Sequence, residues 1–528
     1  MAMAEPFDAI VVGSGATGGC AAKELTERGL RVALLEAGPE VPFTAPGDER
    51  NAGGHSGGQA LDAAPPDAAS AADRQQIQSR CYAYDERTAH LFADDVDSPY
   101  SYPEDKPFEW IRNRVVGGRL HTWGRMCLRM SDWELKAASR DGIGEDWPIS
   151  YADLAPYYDR VEAYMRVCGT PEGLPQLPDG PFAESPHLSA GERAFKAAVE
   201  ERWSTRRVTG ARIAMAPPDA MLAAARSTGR LTLLADSVAA RVVVGAEGKA
   251  RGVAYVDRQS GAEREVEGRL VILCASTIES TRLLLNSATE DHPRGLGNSS
   301  GVLGHYLMDH TYGVGIEGVL SQRVHEPGSS TLYGCAIPSF RNVTENEVDF
   351  AREYGIEMQV HTPVAGQLGR LRAGRRELPG QFWMSSFGEV LPRFENRVAI
   401  DEARSDAWGI PVPYIECSYG ENEQRMAADQ LHCMEEMAEA AGLVVEKRNA
   451  ELAPPGLSIH EIGTARMGED PSSSVLNGYA QSWDVGNLFV TDGSCFVSGG
   501  YQNPTLTMMA ITARACDYAV ERLRNGEI

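Results

Sequence analysis

The sequence predicts an α/β fold in which a Rossmann-type unit is interleaved with a second domain built on a largely antiparallel sheet. Three observations predict it. The chain opens on an apolar run, a glycine-rich turn and a helix. Strand and helix signals of the same kind return at Arg269–Leu273 and Asn487–Thr491. Between them, from Thr311 to about Tyr419, the pattern shifts to short stretches rich in aromatic and β-branched residues. At 528 residues the chain exceeds what one hydrophobic core serves, so a deep site between domains is expected.

Each element follows in order. Asp8–Val12 reads as a strand, Gly13 to Gly18 as a tight turn, Cys20–Arg28 as a helix and Leu30–Leu35 as a second strand, which together make a βαβ unit. From Pro42 to Ala72 the periodicity gives way to Gly, Ala, Pro, Asp and Ser, the composition of a mobile loop or lid. Tyr151–Val167 reads as a helix. Between Leu231 and Asn286 come two apolar runs and a turn, the strand Arg269–Leu273, the small residues Cys274, Ala275 and Ser276, and a helix through Leu285. The tail ends in a helix over Thr505–Arg524. These elements divide the chain into a discontinuous first domain (1–40, 110–160, 225–310 and 455–528), a second domain (160–225 and 311–454) and a loop or lid (41–75).

A formal charge of -24 repels phosphate backbones and anionic lipid heads, so neither nucleic acid nor a membrane surface is an expected partner. Ten scattered cysteines form no CxxC and no paired His/Cys spacing, which argues against a zinc or iron–sulfur site and for buried small side chains in a reducing compartment. With no run of 18 apolar residues and no basic, apolar leader, no membrane insertion and a cytoplasmic location are expected; export alongside a partner subunit is the alternative.

Gly13, Gly15 and Gly18, with Ala16 and Thr17 between them, stand where a βα turn needs a tight bend, close phosphate approach and close helix–strand contact. Glu36 ends the second strand, where a carboxylate accepts from ribose hydroxyls and argues against a 2′-phosphate. A lone GxGxxG is as readily a chance turn; the strand, helix and acid around this one make it a dinucleotide site. A single such unit in so long a chain favours FAD over NAD.

Gly13–Gly38, Asn113–Met130, Val271–Ser287 and Ser458–Arg514 together resemble the glucose–methanol–choline (GMC) family of FAD-dependent oxidoreductases. The most specific stretches are Ser458-Ile-His460-Glu-Ile-Gly463-Thr-Ala-Arg466-Met-Gly468, Asn487-Leu-Phe-Val-Thr-Asp492-Gly493-Ser and Gln502-Asn503-Pro504-Thr505. Within the family the pattern is most similar to pyranose oxidases and to bacterial glycoside 3-dehydrogenases and C-glycoside 3-oxidases. The resemblance makes the first domain the FAD-binding one and the second the substrate-binding one. It implies oxidation of a sugar or glycoside at a secondary ring hydroxyl, C3 above all, with hydride passing to flavin N5. The rivals are other alcohols (a polyol, a sterol or an aminoglycoside) and a flavin subunit of a multi-subunit dehydrogenase. The electron acceptor is expected to be oxygen or a quinone or haem carrier.

By the same resemblance the catalytic pair maps to His460 and Asn503. Hydride leaves the carbinol carbon only as the hydroxyl proton departs, so a neutral imidazole must take that proton. An amide that does not titrate can donate to the developing alkoxide. The plainer role of Asn503, capping the helix that Pro504 opens, is compatible with this one. Pro504 and Thr505 would bring that helix N-terminus to the flavin, with Asp492 and Gly493 alongside. Gly117 and Gly118 are expected to let backbone approach the flavin ring, with Thr122 and Trp123 just downstream. Pyranose oxidases with covalent flavin carry His immediately before that Trp; here Thr122 stands there and His121 one residue earlier, so the FAD is expected to be non-covalent. His305 and His310 are read as ordinary structural histidines. Gln381, Trp383 and Glu389 are candidate sugar contacts in the second sheet, and no metal is expected.

Overall fold

The parallel core is built from largely apolar runs, because both faces of a parallel sheet are covered over most of its extent. In the computed structural model, which describes residues 5–43, 72–321, 334–343, 347–361 and 380–528, the strand Phe7–Val12 lies between Val32–Leu35 and Glu263–Leu273, parallel to both. Leu231–Leu234 adds a parallel edge beyond Val32–Leu35. The segment expected to be a mobile loop or lid lies almost wholly outside the described residues.

Glu263–Leu273 pairs with two further strands besides Phe7–Val12. Its first half is mostly exposed, with Val266 buried, and pairs antiparallel with Ala250–Asp257, which continues into Ser237–Val244. Its second half, Leu270–Leu273, is wholly buried and pairs with Leu488–Val490, so the tail of the chain returns to the same sheet. The sequence shows the change as a switch from charged residues to a continuous apolar run. On this sheet pack the helix Ala16–Glu27 and the helix Thr505–Arg524, joined where Cys20 Sγ meets the Met509 carbonyl at 3.6 Å. Tyr151–Met165 packs on the latter through Tyr158 and Thr507, 2.8 Å apart. All ten cysteines are buried and free.

The second sheet is antiparallel, in the order Val444–Asn449, Gly315–Val319, Gln381–Glu389, Tyr354–His361, Cys335–Ile337, Thr209–Gly210, with His310–Thr311 paired to the end of Gln381–Glu389. One face buries Ile356, Met358, Val360, Phe382 and Met384 against Met426, Met434 and Met437 of the helix Glu421–Ala440. Side chains alternate along a strand, so Glu357 and Gln359, with the odd-numbered residues of Gln381–Glu389, face the other way. Neither Glu421–Ala440 nor Ala190–Arg202 is among the sequence-predicted elements, although Ser189 and Glu192 form a capping box before the latter.

Candidate active site

A single cavity of about 380 Å³ runs from the glycine turn, beneath the antiparallel sheet, to His460 and Asn503. Its floor is backbone. Gly13 has φ +93°, and a Cβ there would stand 2.3 Å from the Cys274 carbonyl oxygen; a Cβ on Gly18 would stand 1.8 Å from the Gly13 carbonyl oxygen. At Gly15 the same construction meets nothing within 4 Å, so the chain leaves open space beside the first turn of the helix Ala16–Glu27, whose Ala16 and Thr17 also line the cavity. Glu36 lies further along the same wall. Its carboxylate accepts from the Ser14 N–H (3.1 Å) and hydroxyl (2.6 Å) and from the Gly38 N–H (3.0 Å), while burial pushes its pKa upward.

Gly118 lines the cavity, whereas Gly117 lies behind it, where a Cβ would enter the Phe43 ring at 2.2 Å. Thr122 and Trp123 line the wall, and the buried Trp123 indole N–H has no hydrogen-bond partner among the described residues. Asp492 and Gly493 also reach the wall; the Asp492 carboxylate accepts from Ser494 N–H (3.0 Å) and hydroxyl (2.6 Å). Pro504 and Thr505 open the C-terminal helix at the same wall, so a second helix N-terminus faces the space. Open room over a glycine, two helix N-termini and an orphaned indole donor fit an elongated dinucleotide with a polar ring, which is what FAD is.

His460 is held by strain and by three neighbours. Ile459 before it has φ +64°, a left-handed conformation that a β-branched residue adopts only under constraint. The Arg119 guanidinium supplies that constraint, donating to the Ile459 carbonyl (3.0 Å) and twice to the Glu461 carboxylate (2.7 and 3.0 Å). Asp309 accepts from the N–H groups of Gly456 (2.7 Å) and His460 (3.2 Å) and from the Ser458 hydroxyl. Burial, with the Glu461 charge nearby, raises Asp309 to about 6. His310 Nδ1 lies 2.9 Å from His460 Nδ1, and Asn503 Nδ2 lies 3.4 Å from His460 Nε2. Burial lowers His310 to about 4 and, with His310 and the Arg119 charge adding to it, takes His460 well below the ordinary imidazole range.

The roof comes from the second sheet. Trp383, Ser385 and Phe387 line it, with Glu357 and Gln359 on the neighbouring strand, where Glu357 pairs with Ser385 and Gln359 with Trp383. Of the three sequence candidates, Trp383 is a wall residue. Gln381 and Glu389 share its face but sit at the two ends of the strand, beyond the cavity; Glu389 is buried beside Arg352 (3.5 Å) and the Gly499 N–H (3.3 Å). Sequence reasoning missed Glu357, Gln359, Ser385 and Phe387, and gave His310 no place at the site. His305 stacks on Phe394 with ring centroids 3.8 Å apart, and His121 stacks on Phe43 and bonds the Val116 carbonyl at 2.9 Å.

A fold of this kind around such a cavity defines a flavoprotein oxidoreductase class, and the comparisons say which. Residues 7–312 match the N-terminal and residues 392–512 the C-terminal model of GMC oxidoreductase, so the chain belongs to the GMC oxidoreductase family. It is 30% identical to the 2-methyl-1,2-propanediol dehydrogenase of Mycolicibacterium austroafricanum, over 98% of this chain and 96% of that protein. It is 28% identical to a C-glycoside 3-oxidase of Arthrobacter globiformis over 57% of this chain and 55% of that one. The crystal structure of pyridoxine 4-oxidase from Mesorbium loti superposes with a TM-score of 0.65 at 19% identity, covering 97% of this chain and 99% of the other. The family is FAD-dependent, and its members act on differing alcohols. Among the described residues no helix is long and apolar enough to cross a membrane.

Proposed function

We propose that the chain oxidises a secondary ring hydroxyl of a sugar or glycoside, at C3, to the ketone, with His460 taking the hydroxyl proton. One observation carries this reading: His460 and Asn503 meet in the same cavity that begins over Gly15, beneath a roof of hydrogen-bonding side chains and an indole. FAD, when bound on the glycine turn and Glu36, supplies the acceptor for the hydride. Burial keeps His460 neutral, and with the Asn503 amide nitrogen, a donor, set against Nε2, the ring proton belongs on Nδ1, facing His310. Nε2 then carries the lone pair towards Asn503 and the substrate. As the hydroxyl proton moves to Nε2, the Asn503 amide is free to donate to the developing alkoxide. His310 acts as a positioning residue. The FAD is non-covalent in this reading, because His121 is engaged with Phe43 and Val116 and is not a wall residue.

A second reading, oxidation of an acyclic polyol, is favoured by the full-length likeness to a diol dehydrogenase. Anaerobic reduction of the FAD-loaded protein by a panel of glycosides, free sugars and diols, followed by admission of oxygen, tests both. Bleaching by glycosides supports the first reading and bleaching by diols alone the second. Absence of bleaching by any alcohol sinks both. Rapid return of the yellow colour in air marks an oxidase, and its absence marks a carrier-linked dehydrogenase.

A further inference from the structure

We propose that Glu357 is a specificity-determining residue whose carboxylate clamps two neighbouring hydroxyls of the substrate, so that the site selects vicinal diols over mono-alcohols. This rests on the reading above, that an alcohol occupies the cavity beside His460. It adds a residue no sequence motif marks and a substrate feature common to sugars and acyclic diols.

The other carboxylates on or beside this wall are satisfied by the protein. Glu36, Asp492 and Asp309 accept from backbone N–H groups and serine hydroxyls, and Glu461 is held bidentate by Arg119. Glu357 differs. It lies on the cavity face of its strand and lines the space with Gln359, Trp383 and Ser385, yet no described residue hydrogen-bonds or ion-pairs with its carboxyl. Burial alone raises it to about 7, with no compensating donor or cation. A desolvated carboxyl in that state takes its donors from whatever fills the cavity. Two oxygens on one planar group match two hydroxyls on adjacent carbons, as they match the two N–H groups of a guanidinium. An ammonium is a poorer match, because Arg119 and Arg125 already line the same cavity and a substrate cation would have to approach them. The Trp383 indole, on the same wall and with its N–H donated to Gln359 at 3.3 Å, leaves an apolar face for the substrate's carbon skeleton.

The FAD-loaded wild type and Glu357→Gln are compared with three probes of one shape: trans-1,2-cyclohexanediol, cyclohexanol and trans-2-aminocyclohexanol. Binding is read from perturbation of the flavin absorbance and turnover from anaerobic flavin reduction. In the wild type the diol is expected to exceed cyclohexanol at least ~10-fold in both affinity and kcat/KM, as two charge-assisted hydrogen bonds provide. In Glu357→Gln that ratio falls towards one, the diol losing far more than cyclohexanol, while FAD is retained. A ratio that survives the substitution overturns the proposal. So does an equal fall for both alcohols, which would make Glu357 a general support of the site, and so does an amino alcohol that is the preferred ligand in the wild type alone. If no alcohol reduces the wild-type flavin, the reading of the reaction has failed, and the diol-to-cyclohexanol affinity ratio still decides whether Glu357 selects diols.

Discussion

The floor and the roof of the cavity are built by opposite means. The floor is backbone: Gly13, Gly15 and Gly18 shape it within the βαβ unit that also carries Glu36, with the Cys274 carbonyl closing on Gly13. The roof is side chains on two strands paired across the second sheet, and which of them face the cavity is set by the helix Glu421–Ala440 claiming the other face. Exchanging a roof side chain alters contacts without altering the fold, whereas a Cβ on Gly13 or Gly18 collides with a main-chain oxygen. The difference accounts for a family that keeps one cofactor and varies its alcohol.

Variants at the seam between the two should show the largest effect. His460→Ala is expected to slow anaerobic flavin reduction by ~10²–10⁴-fold, the usual loss for a general base, with the FAD spectrum and content intact. Asn503→Ala should cost less, on the order of 10²–10³-fold in the same step, because one donor to the developing alkoxide is removed while the base remains. Stopped-flow single turnover measures both, and neither variant should alter the rate of reoxidation. Wild-type reduction in His460→Ala would mean that the base lies elsewhere.

On the floor, Glu36→Ala should weaken FAD binding by about 1–3 kcal/mol, the worth of a charge-assisted hydrogen bond. Equilibrium dialysis of FAD gives the number, and the ranking of alcohols at saturating FAD should stay as in the wild type. A changed ranking would break the division between floor and roof.

How much of this was legible in the sequence follows the same division. The strand–turn–helix and the helix Thr505–Arg524 can be read because their signals are local, glycine spacing and apolar runs. His460 and Asn503 can be found because of the motifs around them. The roof could not be read so well. Taking Gln381, Trp383 and Glu389 as contacts picks the face of the strand that meets the cavity, but the cavity spans only the middle of that face. Glu357 belongs to another strand, and its place opposite Ser385 depends on a register that no local pattern states. His310 meets His460 across 150 residues of chain, brought there by the bridge between Met308 and Ile462 and by Asp309, which accepts from the His460 N–H.

The smallest expected effect is an absence of change, and it separates seam from roof by pH. A base acts in its unprotonated form, so lowering its pKa moves the acid limb of the rate to lower pH. Burial, the adjacent His310 and the Arg119 charge all lower His460, and His310 itself, at about 4, stays neutral over the same range. The limiting rate of flavin reduction at saturating diol should therefore stay level from about pH 8 down through about 6.5, the ordinary imidazole value. Glu357 behaves oppositely. Its carboxyl, raised to about 7, loses its charge as pH falls through that value, while Tyr82 and Tyr312 near it are pushed upward by burial and stay neutral. Apparent affinity and kcat/KM for a vicinal diol should then decline as pH drops through about 7, cyclohexanol should show no such decline, and Glu357→Gln should abolish it. A limiting rate that itself falls with a midpoint near ~6.5 would show an ordinary, solvated imidazole at the base position and would remove the buried His460–His310 pair from the mechanism.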